Sequence, residues 1–116
     1  MQQHSNEINL EQRGAITLFN IRGDLTSFSE PSLSEAYQSA NEQGAAKILL
    51  KIDKKAYINS GGIAALIQIL ALSKRNNQNI GITGVSDHFK KIFSMVGITR
   101  FADIHESVEN ALEVMS

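Results

Sequence analysis

The first part of the chain alternates between apolar and polar positions with a period of two. Residues 8–12 and 15–21 show this alternation, which predicts two strands joined by a turn at Arg13-Gly14. Both alternating sets of the second strand contain apolar residues, so that strand is expected to be covered on both faces. The continuous apolar run within residues 47–52 predicts another strand buried on both faces, and residues 79–83 predict a fourth.

The first predicted helix follows the early hairpin, and the last one ends the chain. Ser29 is expected to cap the first helix, Pro31 fits its first turn, and Gly44 is expected to end it. Its apolar positions at helical spacing are Leu33, Ala36, Tyr37 and Ala40. The last helix is predicted from Val108, Ala111, Leu112 and Met115 at the same kind of spacing.

Two further helices are predicted between the buried strands. The second helix begins at Gly61 or Gly62 and runs to about Asn76, and Ser86 and Gly97 are expected to begin and end the third. The expected inward stripe of the second helix is Ile63, Leu66, Ile67 and Leu70. The expected stripe of the third is Phe89, Ile92, Phe93 and Val96. A short strand near residues 101–104 is predicted before the last helix.

The resulting order of elements is β-β-α-β-α-β-α-β-α. Repeated strand–helix units argue for a largely parallel central sheet with helices packed against it. We therefore predict a single α/β domain over residues 1–116, with a central mixed sheet of four to five strands and helices mainly on one face. Residues 1–5 are polar and are expected to be flexible.

Composition narrows the range of partners. The chain has 116 residues, of which 42% are hydrophobic, and its 11 basic and 12 acidic residues give a net charge of -1. This balance indicates neither a nucleic-acid partner nor an anionic membrane. The absence of cysteine excludes disulfides and thiol nucleophiles. With no apolar signal segment near the start and no long apolar run, the sequence predicts a cytoplasmic protein with no membrane contact.

Motifs for catalysis or metal binding are missing from the sequence. His4, His88 and His105 are scattered without metal-ligand spacing, and each is expected to be a surface histidine. The pair Gly61-Gly62 lacks the spacing of a dinucleotide fingerprint and the lysine of a P-loop. Since no acid–base or nucleophile–base pair is evident, we do not expect an enzyme, and the spacing of the histidines gives no reason to expect a metal site.

One segment, Tyr57-Ile58-Asn59-Ser60-Gly61-Gly62-Ile63, joins a buried strand to an amphipathic helix and places Ser60 at the helix N-terminus. Free backbone N–H groups and the positive end of the helix dipole would stabilise a phosphate attached there. The two small residues after Ser60 would leave its hydroxyl reachable by another protein. The alternative is that Ser60, or Asn59, simply caps the helix.

The segment resembles the signature of STAS domains, the fold of anti-sigma-factor antagonists. That signature is an aromatic residue, an aliphatic residue, Asp, Ser, a small residue, Gly, and Leu or Ile. Residues 57–63 follow it at every position except Asn59. Arg22-Gly23-Asp24-Leu25 resembles the family's turn after the second strand, and residues 86–97 resemble its third helix. The resemblance covers almost the whole chain and implies a single STAS domain.

The resemblance also implies a function. In the family, the serine at the position of Ser60 is phosphorylated by a partner kinase that is also the anti-sigma factor, and a phosphatase reverses the modification. The unphosphorylated domain binds the anti-sigma factor and frees a sigma factor. No cofactor and no catalysis by this chain are implied. The expected partner-binding residues are Asp24, Thr26, Ser27, Asn59, Ser60, Gly61 and Gly62.

The sequence departs from the family pattern at three positions. Asn59 replaces the usual Asp before the serine, Thr26 stands where the early turn often has Asp, and Ala64 replaces a frequent Gly. The first departure removes one negative charge from the expected phosphorylation site. A second interpretation keeps the fold without the switch: a STAS-type structural or scaffold subunit of a signalling or transport assembly.

Overall fold

The structure is a computed structural model that describes residues 6–116. The prediction that residues 1–5 are flexible lies outside the described residues. The sheet has five strands in the spatial order β1-β2-β3-β4-β5. The strands are β1 (Glu7–Arg13), β2 (Ile16–Arg22), β3 (Lys47–Ile52), β4 (Asn79–Thr83) and β5 (Asp103–His105).

The sheet is mixed, as predicted. Strand β1 runs antiparallel to β2, and Arg13 pairs with Ile16 across a two-residue turn. Gly14 in that turn has a φ of +62°, a conformation that glycine adopts without strain. The pairs β2–β3, β3–β4 and β4–β5 are all parallel. The carboxyl ends of β2 and β3 therefore lie at the same edge of the sheet, followed by the early turn and the segment that contains Ser60.

Four α-helices connect and cover the strands in the described part of the chain. They are α1 (Glu30–Glu42), α2 (Ser60–Arg75), α3 (Asp87–Met95) and α4 (Val108–Met115). The order of strands and helices along the chain is the predicted one. Among residues 6–116, no helix combines the length and apolarity that a membrane crossing requires.

Helices α1, α2 and α3 cover one face of the sheet, and α4 covers part of the other. In β2, Phe19 and Ile21 point into the larger core beneath the three helices, whereas Ile16 and Leu18 pack against α4. In β3, Leu49 faces α4, and its apolar neighbours belong to the larger core. This alternation confirms that both strands are buried on both faces.

The inward face of α2 differs from the predicted stripe. Leu66 and Leu70 are fully buried as predicted, but Ala65 and Ile69 are buried with them. The predicted stripe members Ile63 and Ile67 are only partly buried, at the margin of the larger core. The buried face is rotated because it begins at Gly62, in the first turn of α2. Near the other end of the helix, Ser73 lies on the same buried face. Small and polar residues therefore share the buried face, which an apolar pattern does not reveal.

The predicted cap of α1 is also different. Thr26 caps a short 3-10 turn at Ser27–Ser29 that leads into α1. The buried Ser29 hydroxyl accepts a hydrogen bond from the Thr26 N–H at 2.9 Å and donates to the Asp24 carbonyl at 3.3 Å. Ser29 makes no side-chain hydrogen bond to the first turn of α1 within the described residues. The Ser29 hydroxyl instead stabilises the preceding turn, because the 3-10 turn places it next to the backbone of Asp24 and Thr26.

Two predictions near the end of the chain need correction. Helix α3 ends at Met95, so Val96 lies beyond its last turn and is 45% exposed, in contrast with its predicted place in the buried stripe. Gly97, with a φ of +87°, ends the helix as predicted, and a 3-10 turn at Ile98–Arg100 follows. This turn shifts the next strand, which was predicted near residues 101–104, to Asp103–His105.

Phe93 and Val96 offer a matched test of this packing, because Phe93 is 0% exposed and Val96 is 45% exposed. We expect Phe93→Ala to lower the free energy of unfolding by about 3–5 kcal/mol, through lost apolar burial and a residual cavity. Val96→Ala should change it by less than about 0.5 kcal/mol, as an exposed substitution does. Urea unfolding of both variants checks this. Equal losses would contradict the described end of α3.

Candidate functional site

Ser60 is the first residue of α2, and Asn59 is the residue that caps the helix. The Asn59 side-chain oxygen accepts a hydrogen bond from the Gly62 N–H at 3.0 Å, and the Asn59 carbonyl accepts from the Ile63 N–H at 3.0 Å. Ser60 is exposed, and its hydroxyl makes no hydrogen bond to any residue between 6 and 116. Since the Asn59 side chain caps the helix, the Ser60 hydroxyl is not used for capping.

The backbone at the start of α2 also has N–H groups that donate no hydrogen bond within the described residues. The N–H groups of the first helical residues have no carbonyl within their own helix to bond. Asn59 satisfies the N–H of Gly62, but the N–H groups of Ser60 and Gly61 have no acceptor among the described residues. These two donors lie beside the Ser60 side chain at the positive end of the helix dipole.

The segment before Ser60 is hydrogen-bonded to the turn after β2. Leu25 and Ile58 form an isolated parallel bridge, in which the Leu25 N–H donates to the Tyr57 carbonyl at 2.9 Å and the Asn59 N–H donates to the Leu25 carbonyl at 3.1 Å. The Asp24 carboxylate accepts from the Tyr57 N–H at 2.9 Å. Leu25 and Ile58 are buried, so these two segments form one anchored unit at the edge of the sheet.

Gly61 and Gly62 allow α2 to lie directly against that turn. A Cβ atom on Gly62 would be 2.1 Å from the Leu25 carbonyl oxygen, and one on Gly61 would be 2.7 Å from the Ser27 nitrogen. Both contacts are too short for any side chain, so the close approach of two backbones requires glycine. These two glycines, which were expected to leave the Ser60 hydroxyl reachable, therefore also allow the close packing of α2 against the turn.

The structure brings all seven predicted site residues into one region, but it gives them different exposure. Asp24, Ser27 and Ser60 are exposed, whereas Thr26 and Asn59 are half-buried. The Thr26 hydroxyl is occupied as the cap of the 3-10 turn, where it accepts from the Phe28 N–H at 3.1 Å. Of the two glycines, Gly61 is half-buried and Gly62 is buried.

Two aromatic side chains beside this region were not among the predicted site residues. Phe28 and Tyr57 are each 62% exposed, and they belong to the two segments that the Leu25–Ile58 bridge joins. The Tyr57 ring meets the ring of Phe89 edge to face, with 6.4 Å between centroids. Large apolar side chains left in solvent at one place often mark a protein contact. The sequence signal available for Phe28 was an aromatic residue between two serines, whereas Tyr57 lies between two apolar residues and has no such signal.

A shallow groove of about 410 Å³ begins beside the same turn and follows the outward side of α2. Its lining includes Ser27, Gly61, Ala64, Ile67 and Gln68. Ala64 and Ile67 make its floor largely apolar, and Ser27 and Gly61 connect it to the surroundings of Ser60. The exposed Ser60, the two aromatic side chains and this groove all belong to the two bridged segments and the helix that follows them, and we call them together the Ser60 surface.

The histidines show no sign of metal binding in the described part of the chain, where no three or more His, Asp or Glu side chains gather into a ligand set. His88 is exposed and lies against the ring of Phe89, with 5.0 Å between centroids. His105 was predicted at the surface but is only 8% exposed, because its position in β5 turns it towards Gly81 and Met115 under α4. His4 lies outside the described residues.

Comparison with known proteins agrees with this architecture. The family model described as STAS domain matches residues 7–111. The chain is similar to the anti-sigma-B factor antagonist of Staphylococcus aureus, with 24% identity over 89 residues that cover 77% of this chain and 82% of the relative. A Staphylococcus epidermidis protein of the same name is 22% identical over equal shares of both chains.

Solved structures show the same fold. The NMR structure of the protein TM1081 superposes with a TM-score of 0.78 at 13% identity, covering 97% of this chain and 91% of that one. The Bacillus cell fate determinant SpoIIAA, in its phosphorylated form, superposes with a TM-score of 0.68 at 15% identity, covering 95% of this chain and 100% of that one. With a family model matched across nearly all of its sheet and helices, the chain belongs to the STAS domain family.

Proposed function

We propose that this protein is an anti-sigma factor antagonist, a cytoplasmic regulator that binds a serine-kinase anti-sigma factor and is switched by phosphorylation of Ser60. The observation that carries the proposal is the exposed Ser60 hydroxyl, free of any capping duty, at a helix N-terminus whose cap is supplied by Asn59. The similarity to the staphylococcal antagonists supports the class of partner.

The start of α2 is suited to carry a phosphate. A phosphoserine adds about -1.5 to -2 charge at neutral pH, together with three strong acceptor oxygens. The N–H groups of Ser60 and Gly61 have no acceptor among the described residues, and the helix dipole favours an anion at this end. Because Asn59 is neutral, the modified serine has no carboxylate directly before it in the chain.

The unmodified Ser60 surface has the features of a binding face. Phe28 and Tyr57 would supply exposed aromatic anchors, which often contribute most to the affinity of an interface. The groove along α2 would receive an apolar element of the partner, and Asp24 and Ser27 would contribute polar contacts. Gly61 and Gly62 would contribute indirectly, because they allow α2 to pack against the turn and so position the surface.

The switch would act through charge and would leave the fold unchanged. The bridge between Leu25 and Ile58, and the contact of Gly62 with Leu25, fix the backbone around Ser60. A phosphate on Ser60 would therefore place its charge inside the interface, where the partner must desolvate it or repel it. The complex would weaken, and a phosphatase that removes the phosphate would restore binding.

The proposed phosphoacceptor can be tested directly. Incubation with the serine-kinase anti-sigma factors encoded in the same genome should label Ser60, because its hydroxyl is exposed and unoccupied. Ser60→Asp should weaken binding to the cognate anti-sigma factor by about 2 kcal/mol or more, the scale of an unpaired charge in an interface. Ser60→Ala should bind with nearly wild-type affinity. Phosphopeptide mapping and titration calorimetry provide the two measurements.

Two outcomes would count against the switch. Phosphate on another residue, with Ser60 unmodified, would remove Ser60 as the acceptor. Equal affinities of the Ser60→Asp and Ser60→Ala variants would show that charge at this position does not control binding and would favour a structural subunit. Both variants should melt at the wild-type temperature, since an acidic residue is well tolerated at a helix N-terminus.

The assignment of the helix cap to Asn59, and not to Ser60, can be tested by measuring the free energy of unfolding of variants at the two positions. Asn59→Ala should cost about 1 kcal/mol in the free energy of unfolding, because it removes the side-chain bond to the Gly62 N–H. Asn59→Asp should retain the cap. Ser60→Ala should cost less than about 0.5 kcal/mol, as an exposed residue that caps nothing. Chemical unfolding decides this, and a larger loss for Ser60→Ala than for Asn59→Ala would reverse the assignment.

The aromatic anchors have a matched control. Phe28→Ala and Tyr57→Ala should each weaken binding to the anti-sigma factor by about 1–2 kcal/mol, as truncation of an interface anchor does. Val114 in α4 is similarly exposed, at 61%, but lies outside the Ser60 surface, so Val114→Ala should leave affinity unchanged. Calorimetry on the three variants provides the test. If Val114→Ala weakens binding as much as the other two, the interface lies elsewhere.

A further inference from the structure

Strand β1 forms one edge of the sheet. It is paired with β2 along all seven of its residues, and no strand of the described residues lies on its other side. Edge strands of natural proteins are commonly protected from further pairing by a proline, a bulge, a very short length or charged side chains. The sequence of β1, Glu-Ile-Asn-Leu-Glu-Gln-Arg, contains no proline, and its register with β2 is uninterrupted. The charged side chains of Glu7, Glu11 and Arg13 are the protection that remains, so the edge accepts only a strand whose charges complement them.

The hairpin geometry determines which backbone groups point outwards. Arg13 and Ile16 flank a two-residue turn, so this pair must exchange both of its backbone hydrogen bonds. Hydrogen-bonded and non-hydrogen-bonded pairs alternate along an antiparallel ladder. The N–H and C=O groups of Ile8, Leu10 and Gln12 consequently point away from β2, towards the open edge.

A second copy of β1 can pair with these groups in an antiparallel arrangement. In the register where Leu10 faces Leu10 of the second copy, Ile8 faces Gln12, and all the outward backbone groups are matched in hydrogen-bonded pairs. The same register places Glu7 opposite Arg13 at both ends of the contact. Opposite charges facing each other across strands are stabilising.

Charge also disfavours the neighbouring registers. A slip by one residue would bring outward backbone groups of one copy against inward-bonded groups of the other. A slip by two residues in one direction places Glu7 opposite Glu11, and in the other direction it places Glu11 opposite Glu11. Like charges directly opposite are destabilising, so among these neighbouring registers the one centred on Leu10 alone combines matched backbone groups with attractive charge pairs, and it pairs all seven residues of the strand.

The charged side chains are free to make these contacts. Glu7 is 69% exposed, and its contact with Arg22 is long, at 4.0 Å. Arg13 is 41% exposed, and its ion pair with Glu11 lies on the surface. Such exposed pairs contribute little to stability, so exchanging them across an interface costs little. Ile8 and Leu10 are only half-buried at the margin of the larger core, and pairing would cover them further.

We propose that β1 is a self-association edge, at which two copies of this chain pair antiparallel around Leu10 and extend the sheet through both molecules. The charge complementarity of Glu7 with Arg13 selects a second copy as the occupant of this edge. The contact uses none of the residues of the Ser60 surface, so it does not depend on the proposed phosphorylation. A single pair of short strands buries little area, and the dimer is therefore weak and concentration-dependent.

Charge reversal tests the register. Glu7→Arg alone places Arg opposite Arg at both ends, and Arg13→Glu alone places Glu opposite Glu, so each variant should self-associate about tenfold more weakly than the wild type. An equimolar mixture of the two variants pairs Arg with Glu at both ends. The mixture should regain association to within about threefold of the wild type. Sedimentation equilibrium over a wide concentration range measures all three.

Amide hydrogen exchange gives a second readout that does not depend on charge. As the wild-type concentration rises, exchange should slow at Ile8, Leu10 and Gln12, whose amides face the open edge. The amides of Asn9 and Glu11 already bond to β2 and should show no such dependence. Melting temperatures close to that of the wild type confirm that both charge variants are folded.

Three results would overturn the proposal. The first is a wild-type protein that stays monomeric at millimolar concentration. The second is self-association of Glu7→Arg and Arg13→Glu as strong as that of the wild type. The third is failure of the mixture to regain association. That result would show that Glu7 does not face Arg13 in the contact, even if a dimer exists.

Discussion

The first turn of α2 lies against the backbone that follows β2, and the position of the whole site depends on this contact. Gly62 has no side chain to separate its backbone from the Leu25 carbonyl, so the helix begins directly beside the turn. The same carbonyl accepts the Asn59 N–H, which sets the angle at which the chain enters α2. With Asn59 directed into the helix as its cap, Ser60 is left on the outside.

This contact also explains which parts of the fold could be predicted. Strand β3 was predicted with its full bounds because the apolar run around Leu49 is a local signal. The rotation of α2 was not predicted, because it follows from the meeting of Gly62 with Leu25, which is distant in sequence. Ala65 is buried as a result, although its small side chain carries little hydrophobic signal. Val96 was misplaced for the opposite reason, since the apolar spacing continues past the last residue of α3.

The site shows the same division between local and distant causes. Residue types alone placed Ser60 and Asn59 at a helix N-terminus, but the choice of Asn59 as the cap became clear only with the backbone geometry. The bond from the Tyr57 N–H to Asp24 joins segments far apart in the chain and has no sequence signal. Phe28 was missed because an aromatic residue is usually assigned to the core, whereas here the 3-10 turn directs it into solvent.

The assignment of the cap to Asn59 has a consequence for how this kind of domain can diverge. If the acceptor serine also capped its helix, each substitution that abolished regulation would weaken the fold as well. Here Asn59 is the cap and the proposed phosphoacceptor is the residue after it, so position 60 can change while the helix keeps its cap. A lineage can therefore lose the proposed phosphoacceptor, or regain it, in one step without passing through an unstable ancestor. Under the proposed switch, one scaffold can in this way give rise to both regulated and unregulated descendants.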